Sequence, residues 1–163
     1  IMCSHYCTLE CCFIIDRVTR FKINAVYKKI ANPYLNRWVK KIRSKYDCEL
    51  ITTNETYRKI AKQSKGKKLH LYGFASDQSP SKKKASYWNK FLNITVPIHT
   101  GAEIIAKKYN MPILFMDVIK VKRGFYEATF KEITYDPKNF ENFKLTDIFI
   151  KMVEEQILSL IHI

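Results

Sequence analysis

The sequence predicts an α/β fold in which helices flank a mixed β-sheet in a layered arrangement. Three observations support this prediction. Residues 21–27 are rich in β-branched side chains that alternate with polar ones, as in a half-buried strand, and residues 69–75 form a second, more apolar strand. Residues 111–121 and 125–133 flank Arg123-Gly124 and predict a β-hairpin. Helical patterns lie between these strands, so the sheet is expected to contain parallel and antiparallel pairs.

The first long helix is predicted to begin at Asn32-Pro33, with Asn32 as the cap and Pro33 as the first helical residue. Apolar residues then recur at helical spacing, and basic residues occupy the remaining faces. The apolar set is Leu35, Trp38, Val39 and Ile42, and the basic set is Lys40, Lys41, Arg43 and Lys45. We therefore expect this helix to bury one side and to expose a basic one.

Three more helices are predicted along the chain. A short one spans residues 55–64 after a cap near Thr53 or Asn54, and a second spans about residues 101–109 and is capped by Thr100. A third spans residues 147–158 after the Thr146 cap. The length of 163 residues fits one domain with a substantial core.

Composition limits the classes of function. The chain has 29 Lys and Arg against 15 Asp and Glu, a net charge of +14 that favours anionic lipid, acidic protein or nucleic acid as a partner. No run approaches 18 apolar residues, so any contact with a membrane is expected to be peripheral. Four of the five cysteines fall at Cys3, Cys7, Cys11 and Cys12 without a second pair at zinc-ligand spacing. We expect no metal and no cofactor.

His5 and Glu10 are the first candidate catalytic pair, separated by five positions. On a regular helix this spacing would place the two side chains roughly 140° apart. The pair can therefore meet only if His5 precedes a helix and Glu10 reaches back from its first turns. A carboxylate on one ring nitrogen would fix the tautomer and leave the other nitrogen to accept a proton.

The loop Asp77-Gln78-Ser79-Pro80 is a second candidate site, because it follows the strand at 69–75 and open α/β sheets bind ligands at the carboxyl ends of their strands. The alternative is a simple polar turn. Lys82-Lys83-Lys84 come next, either as a solvated loop or as a contact for an anionic partner. The aromatic and apolar residues after them either line a ligand pocket or pack the core: Tyr87, Trp88, Phe91 and Leu92.

Four segments in this order resemble the bacterial lipid A biosynthesis acyltransferases, a branch of the lysophospholipid acyltransferase superfamily. They are His5 to Glu10, written His-Tyr-Cys-Thr-Leu-Glu; the strand ending in Tyr27-Lys28 with Asn32-Pro33; the Asp77-Gln78 loop; and the aromatic stretch leading to Thr100-Gly101. The resemblance extends from residue 5 to about residue 156. It implies a glycerolipid acyltransferase-like α/β fold.

The chain departs from the family pattern at several points. Lys28 stands where the family usually has Arg, and a lysine offers a point charge instead of a planar two-pronged donor. The family's N-terminal membrane anchor and its closing segment rich in Trp, His and Arg have no counterpart here. We therefore expect residues 1–157 to be an acyltransferase domain incomplete at both ends. Residues 158–163 resemble a translated sequencing adapter, a non-native scar.

The resemblance implies a mechanism without an acyl-enzyme intermediate. Acyl carrier protein would deliver a fatty acyl thioester to a hydroxyl of a lipid A precursor or related lysolipid, at the cytoplasmic face of the bacterial inner membrane. His5 would act as general base and Glu10 would orient it. Lys28 and Arg43 would offset negative charge, and Asp77 and Gln78 would shape the acceptor site. An anionic membrane surface is the expected contact of this peripheral chain.

Two other classes of function remain open. The chain could be a catalytically inactive relative that binds only a lipid or a protein. It could also be a basic nucleic-acid-binding domain, because lysine-rich loops contact phosphate and aromatic side chains such as Tyr87 and Trp88 can stack on bases. No ordered nucleic-acid-binding motif is present, so we do not expect nucleic acid as a partner.

Overall fold

The computed structural model describes residues 1–6, 14–44 and 46–161. Contacts divide the chain into two compact units: unit 1 comprises Ile1–Cys7 and Ala75–Ile163, and unit 2 comprises Thr8–Phe74. The elements, in chain order, are β1 (Met2–Cys3), α1 (Ile15–Val18), β2 (Lys22–Tyr27), α2 (Pro33–Arg43), β3 (Glu49–Thr52), α3 (Thr56–Gln63), β4 (His70–Ala75), β5 (Trp88–Phe91), β6 (Ile94–Pro97), α4 (Gly101–Tyr109), β7 (Ile113–Lys122), β8 (Phe125–Thr134) and α5 (Lys144–Ile161). The α/β class predicted from the sequence is confirmed.

Unit 2 is built on a parallel arrangement in which β2 lies between β3 and β4. The predictions of β2, β4, α2 and α3 are confirmed within one or two residues at their ends. Strand β3 was not predicted, because its four residues carry too short a pattern to stand out. The core of this unit contains Ile23, Ile51 and Ile60, each at most 1% exposed.

Unit 1 contains a mixed arrangement in which β1 runs parallel to β7, and β7 pairs antiparallel with β8. The predicted hairpin around Arg123-Gly124 is confirmed, and Gly124 has the positive φ of 79° that such a turn needs. A second, unpredicted hairpin joins β5 to β6 through Leu92 and Asn93, both with positive φ. Leucine rarely adopts this conformation, so Leu92 is not a residue from which a turn is predicted.

Helix α5 supplies much of the core of unit 1. Phe149 is fully buried and its ring meets that of Phe115 on β7 edge to face, with centroids 5.9 Å apart. Leu145 and Val153 lie on the same side of the helix and are also buried. The helix begins three residues before the predicted start, so the prediction that Thr146 is its cap is wrong.

Glu103 on α4 explains this earlier start. Its carboxylate is 2% exposed and accepts hydrogen bonds from the Phe143 and Thr146 backbone N–H groups, both at 2.8 Å. The Thr146 hydroxyl donates to the same carboxylate at 2.6 Å, and Lys107 forms an ion pair with it at 2.7 Å. A carboxylate from a different helix therefore accepts hydrogen bonds from backbone N–H groups at the start of α5, where a negative charge is also favourable.

Thr100 occupies the predicted N-cap position of α4, but its side chain makes no cap hydrogen bond, and its hydroxyl lies 3.4 Å from that of Ser86. The predicted burial of one side of α2 is wrong. Helix α2 has the predicted amphipathic pattern and the predicted Asn32 cap, but none of its residues is buried. Periodicity shows that a helix has an apolar face, but tertiary packing decides whether anything covers that face.

Candidate active site

His5 and Asp77 form the central contact of the candidate site in unit 1. His5 lies two residues after β1, and Asp77 lies two residues after β4, so each follows the carboxyl end of a strand. One Asp77 oxygen lies 2.5 Å from the His5 ring Nδ1, and the other accepts a hydrogen bond from the His5 backbone N–H at 2.7 Å. The Asp77 side chain is 16% exposed and that of His5 36%. This geometry holds the ring by Nδ1 and leaves Nε2 to exchange a proton.

A chain of side-chain hydrogen bonds holds the loop that carries His5. The Ser4 hydroxyl accepts from the Tyr6 backbone N–H and donates to the side-chain oxygen of Gln156 on α5. The Gln156 amide then donates to Asp117 on β7 at 2.6 Å, and Asp117 pairs with Lys131 on β8 at 2.7 Å. Three elements distant in sequence therefore fix the residues on either side of His5.

A groove of about 480 Å³ lies along this chain of hydrogen bonds. Its volume falls within the range of small-ligand pockets, roughly 300–1000 Å³. The lining combines apolar and polar side chains: Tyr6, Phe115, Asp117, Ile119, Lys120, Lys131, Met152, Glu155, Gln156 and Ser159. Because Tyr6 follows His5 in the sequence, the groove begins next to the candidate base. Its mixed lining suits a ligand that is partly apolar.

The other predicted site residues fall in different places. Gln78 is exposed beside Asp77. Lys28 is exposed directly after β2, and Arg43 is half-buried in the last turn of α2; both belong to unit 2. Glu10, the predicted partner of His5, lies outside the described residues, and so do Cys7, Cys11 and Cys12. Lys82–Lys84 form one exposed 3₁₀ turn.

Tyr87, the first aromatic residue after this turn, takes part in packing. The Tyr87 hydroxyl donates to Asp147 at 2.8 Å, and its ring stacks on Phe143 with centroids 4.3 Å apart. Burial, followed by the hydrogen bond to Asp147, raises the pKa of Tyr87 to about 12. The Tyr87 hydroxyl therefore stays neutral, and the residue has a structural role. The side chain of Trp88, by contrast, is 44% exposed.

The sequence offered no local signal for Gln156, Asp117 or Lys131. Each is a common polar residue within a regular element, and the Ser4–Gln156 contact joins residues 152 positions apart. Only the long-range packing of α5, β7 and β8 joins them into the hydrogen-bond chain that reaches Ser4. Within residues 1–6, 14–44 and 46–161, no three His, Cys, Asp or Glu side chains are grouped as a metal site requires.

The protein has an α/β fold, and His5 and Asp77 make direct contact just after β1 and β4. The family model described as bacterial lipid A biosynthesis acyltransferase matches residues 1–160, nearly the whole chain. The chain belongs to this family, and the resemblance drawn from its motifs is confirmed. Its membership identifies it as an acyltransferase of lipid A biosynthesis.

No match was found among curated proteins. In the described part of the chain, no helix combines the length and apolar character needed to cross a bilayer.

Proposed function

We propose that this protein transfers a fatty acyl chain from the thioester of acyl carrier protein to a hydroxyl of a lipid A precursor or a related lysolipid. The observation that carries the proposal is the contact between Asp77 and the His5 ring. A histidine held at Nδ1 by a carboxylate is suited to accept a proton at Nε2. Family membership supplies the reaction class.

In the proposed step, Nε2 of His5 removes the proton of the acceptor hydroxyl as its oxygen attacks the thioester carbonyl. The carbon–sulfur bond breaks, the acyl ester forms, and the thiol of the carrier leaves with a proton from the imidazolium. Asp77 keeps the ring oriented and stabilises its positive charge in between. From the sequence, Asp77 is expected to shape the acceptor site; its contact with the His5 ring supports a positioning role instead.

Glu10 remains the alternative partner of His5, proposed from the sequence motif alone. The imidazole has two ring nitrogens, and Asp77 lies against Nδ1. A carboxylate on Nε2 as well would block the nitrogen that has to accept the proton. We therefore propose Asp77 as the residue that positions the ring, and a comparison of the two carboxylates tests this assignment.

The groove beside Tyr6 is the proposed place for substrate in unit 1. Ile119 and Met152 offer apolar contact for an acyl chain, while Lys120 offers a positive charge to a phosphate or carboxylate. We keep Lys28, Arg43 and Gln78 as proposed substrate contacts. The proposed location is the cytoplasmic face of the bacterial inner membrane, where the net charge of +14 favours an anionic surface.

The test is an acyl-transfer assay with defined donors and acceptors. Acyl carrier protein and coenzyme A, each charged with the same acyl chain, would be offered with a tetra-acylated lipid A precursor, a lysophospholipid or an ornithine lipid. The proposal predicts transfer from the carrier protein to one of these hydroxyls. Absence of transfer to all three, by protein shown to be folded, would contradict it.

A further inference from the structure

Helix α2 presents an apolar face to solvent. Tyr34, Leu35, Trp38 and Ile42 are exposed, from 45% for Ile42 to 81% for Tyr34. At 100° per residue these four side chains fall within an arc of roughly 100°. A surface helix of a soluble domain normally turns such an arc toward its core. In α2 the half-buried residues, such as Val39, lie to one side of the arc.

Local contacts hold this helix in place without burying its apolar residues. The Asn32 side chain accepts hydrogen bonds from the Tyr34 and Leu35 backbone N–H groups at 2.9 and 3.1 Å, and Pro33 occupies the first position. Asn36 accepts from the Ile30 N–H at 3.2 Å. These contacts start the helix and tie it to the preceding loop, while Tyr34, Leu35, Trp38 and Ile42 remain exposed to solvent.

The charges on α2 decide which kind of partner fits. Arg37, Lys40, Lys41 and Arg43 lie on the rest of the helix, and its sequence has no acidic residue. A second copy of this chain would bring these cations against one another. Nucleic acid would match the charges but would leave the aliphatic side chains of Leu35 and Ile42 without a partner.

An anionic lipid surface matches both features of the helix. Apolar side chains enter the boundary of the acyl chains, and lysine and arginine remain among the headgroups. Tryptophan and tyrosine prefer this interfacial depth because one part of each ring is apolar and another polar. Trp38 and Tyr34 supply both aromatic types on the exposed face of α2.

We propose that α2 is an interfacial helix that lies in the plane of an anionic membrane, with Tyr34, Leu35, Trp38 and Ile42 facing the acyl chains. That this surface is the membrane containing the acceptor lipid rests on the proposed function. Binding to an anionic membrane depends only on the exposed apolar face of α2, so it can be tested separately.

The test is co-sedimentation of the chain with phosphatidylcholine vesicles that contain or lack phosphatidylglycerol. Trp38→Ser with Ile42→Ser is expected to weaken binding to the anionic vesicles by roughly tenfold or more, because two large side chains lose apolar contact. Ile104→Ser is the matched control, since Ile104 is 44% exposed on α4, and it should bind like the unaltered chain. Replacing Arg37, Lys40 and Lys41 by Gln should remove the preference for phosphatidylglycerol.

A second measurement locates the contact. The chain has two tryptophans, so Trp88→Phe leaves Trp38 as the fluorescent reporter. Brominated lipids should quench its emission on anionic vesicles. Vesicle binding by the double variant equal to that of the unaltered chain, or unquenched Trp38 in bound protein, would overturn the inference. Self-association abolished by the double variant, without vesicle binding, would assign the face to a second copy and also overturn it.

Acyl transfer to a detergent-dispersed acceptor separates the two proposals. If the double variant loses vesicle binding but keeps this activity, the inference is supported and the proposed function stands. If the unaltered chain binds vesicles through α2 but transfers no acyl group, the proposed function fails and the membrane contact remains.

Discussion

The carboxylate of Asp77 holds His5 at two points, the backbone N–H with one oxygen and ring Nδ1 with the other. Two contacts from one carboxylate fix both the position of the residue and the orientation of its ring. A base that must meet a substrate hydroxyl gains from such fixation, because small displacements of reacting groups are costly in rate.

Asp77→Asn is expected to lower acyl transfer by on the order of 10²-fold or more, because the amide cannot stabilise the imidazolium and can favour the wrong tautomer. Glu10→Gln is the matched comparison. If Asp77 positions His5, its substitution has the larger effect on kcat, with both variants folded as judged by circular dichroism. A larger loss in Glu10→Gln would transfer the positioning role to Glu10.

Gln156→Leu is expected to lower kcat roughly tenfold or more, because Ser4 and Asp117 both lose their hydrogen bond to the Gln156 amide and the loop carrying His5 shifts. Lys151→Gln, at an exposed position on the same helix, is the control and should leave kcat unchanged. Thermal unfolding measured alongside separates a positioning effect from simple instability. Unaltered kcat in a folded Gln156→Leu protein would show that the hydrogen-bond chain does not position the site.

The sequence predicted elements whose signals are local. The Asn32-Pro33 start of α2 and the turn at Gly124 are written in neighbouring residues, and both were predicted correctly. The apolar face of α2 was also identified, but its exposure was not, because periodicity contains no information about what packs on a face.

The contacts that form the site are long-range. His5 and Asp77 are 72 residues apart, and Ser4 and Gln156 are 152 apart, so no spacing rule joins them. Both members of the His5–Asp77 contact were singled out from the sequence, because each lies in a family motif. Their direct contact was not foreseen, since it depends on the placement of two strand ends in space.

Glu103→Gln is expected to lower the free energy of unfolding by about 3 kcal/mol. The buried carboxylate accepts three hydrogen bonds and forms an ion pair with Lys107. The side-chain NH₂ of glutamine would face some of these donors and could not accept from them. Glu132→Gln, at an exposed position on β8, should change stability by less than about 0.5 kcal/mol. Urea unfolding of both variants checks this, and equal stabilities would contradict the capping role of Glu103.

The stability of the protein is expected to depend on the protonation of His70. Its ring Nδ1 lies 3.2 Å from the amide nitrogen of Asn24, a donor, so the neutral ring is the form that fits. Burial, and to a lesser extent nearby lysines, lowers the pKa of His70, with Glu49 opposing the shift.

Because the folded pKa lies below the unfolded value of about 6.5, this contribution to stability is complete above that pH. It is lost as pH falls through the lower folded pKa. As pH falls across this range, urea unfolding should show a smaller loss of unfolding free energy for His70→Gln than for the unaltered protein, because glutamine keeps an acceptor but does not titrate. Identical pH profiles for the two proteins would rule out His70 as the source.

The most direct test of the account compares acyl transfer by the unaltered chain and by His5→Ala, with the donor and acceptor that support the highest rate. His99→Gln, at an exposed position, is the control for loss of a histidine. The account predicts that His5→Ala loses roughly 10²- to 10⁴-fold in kcat while remaining folded, since a positioned general base contributes that much. Full activity in a folded His5→Ala protein would contradict it.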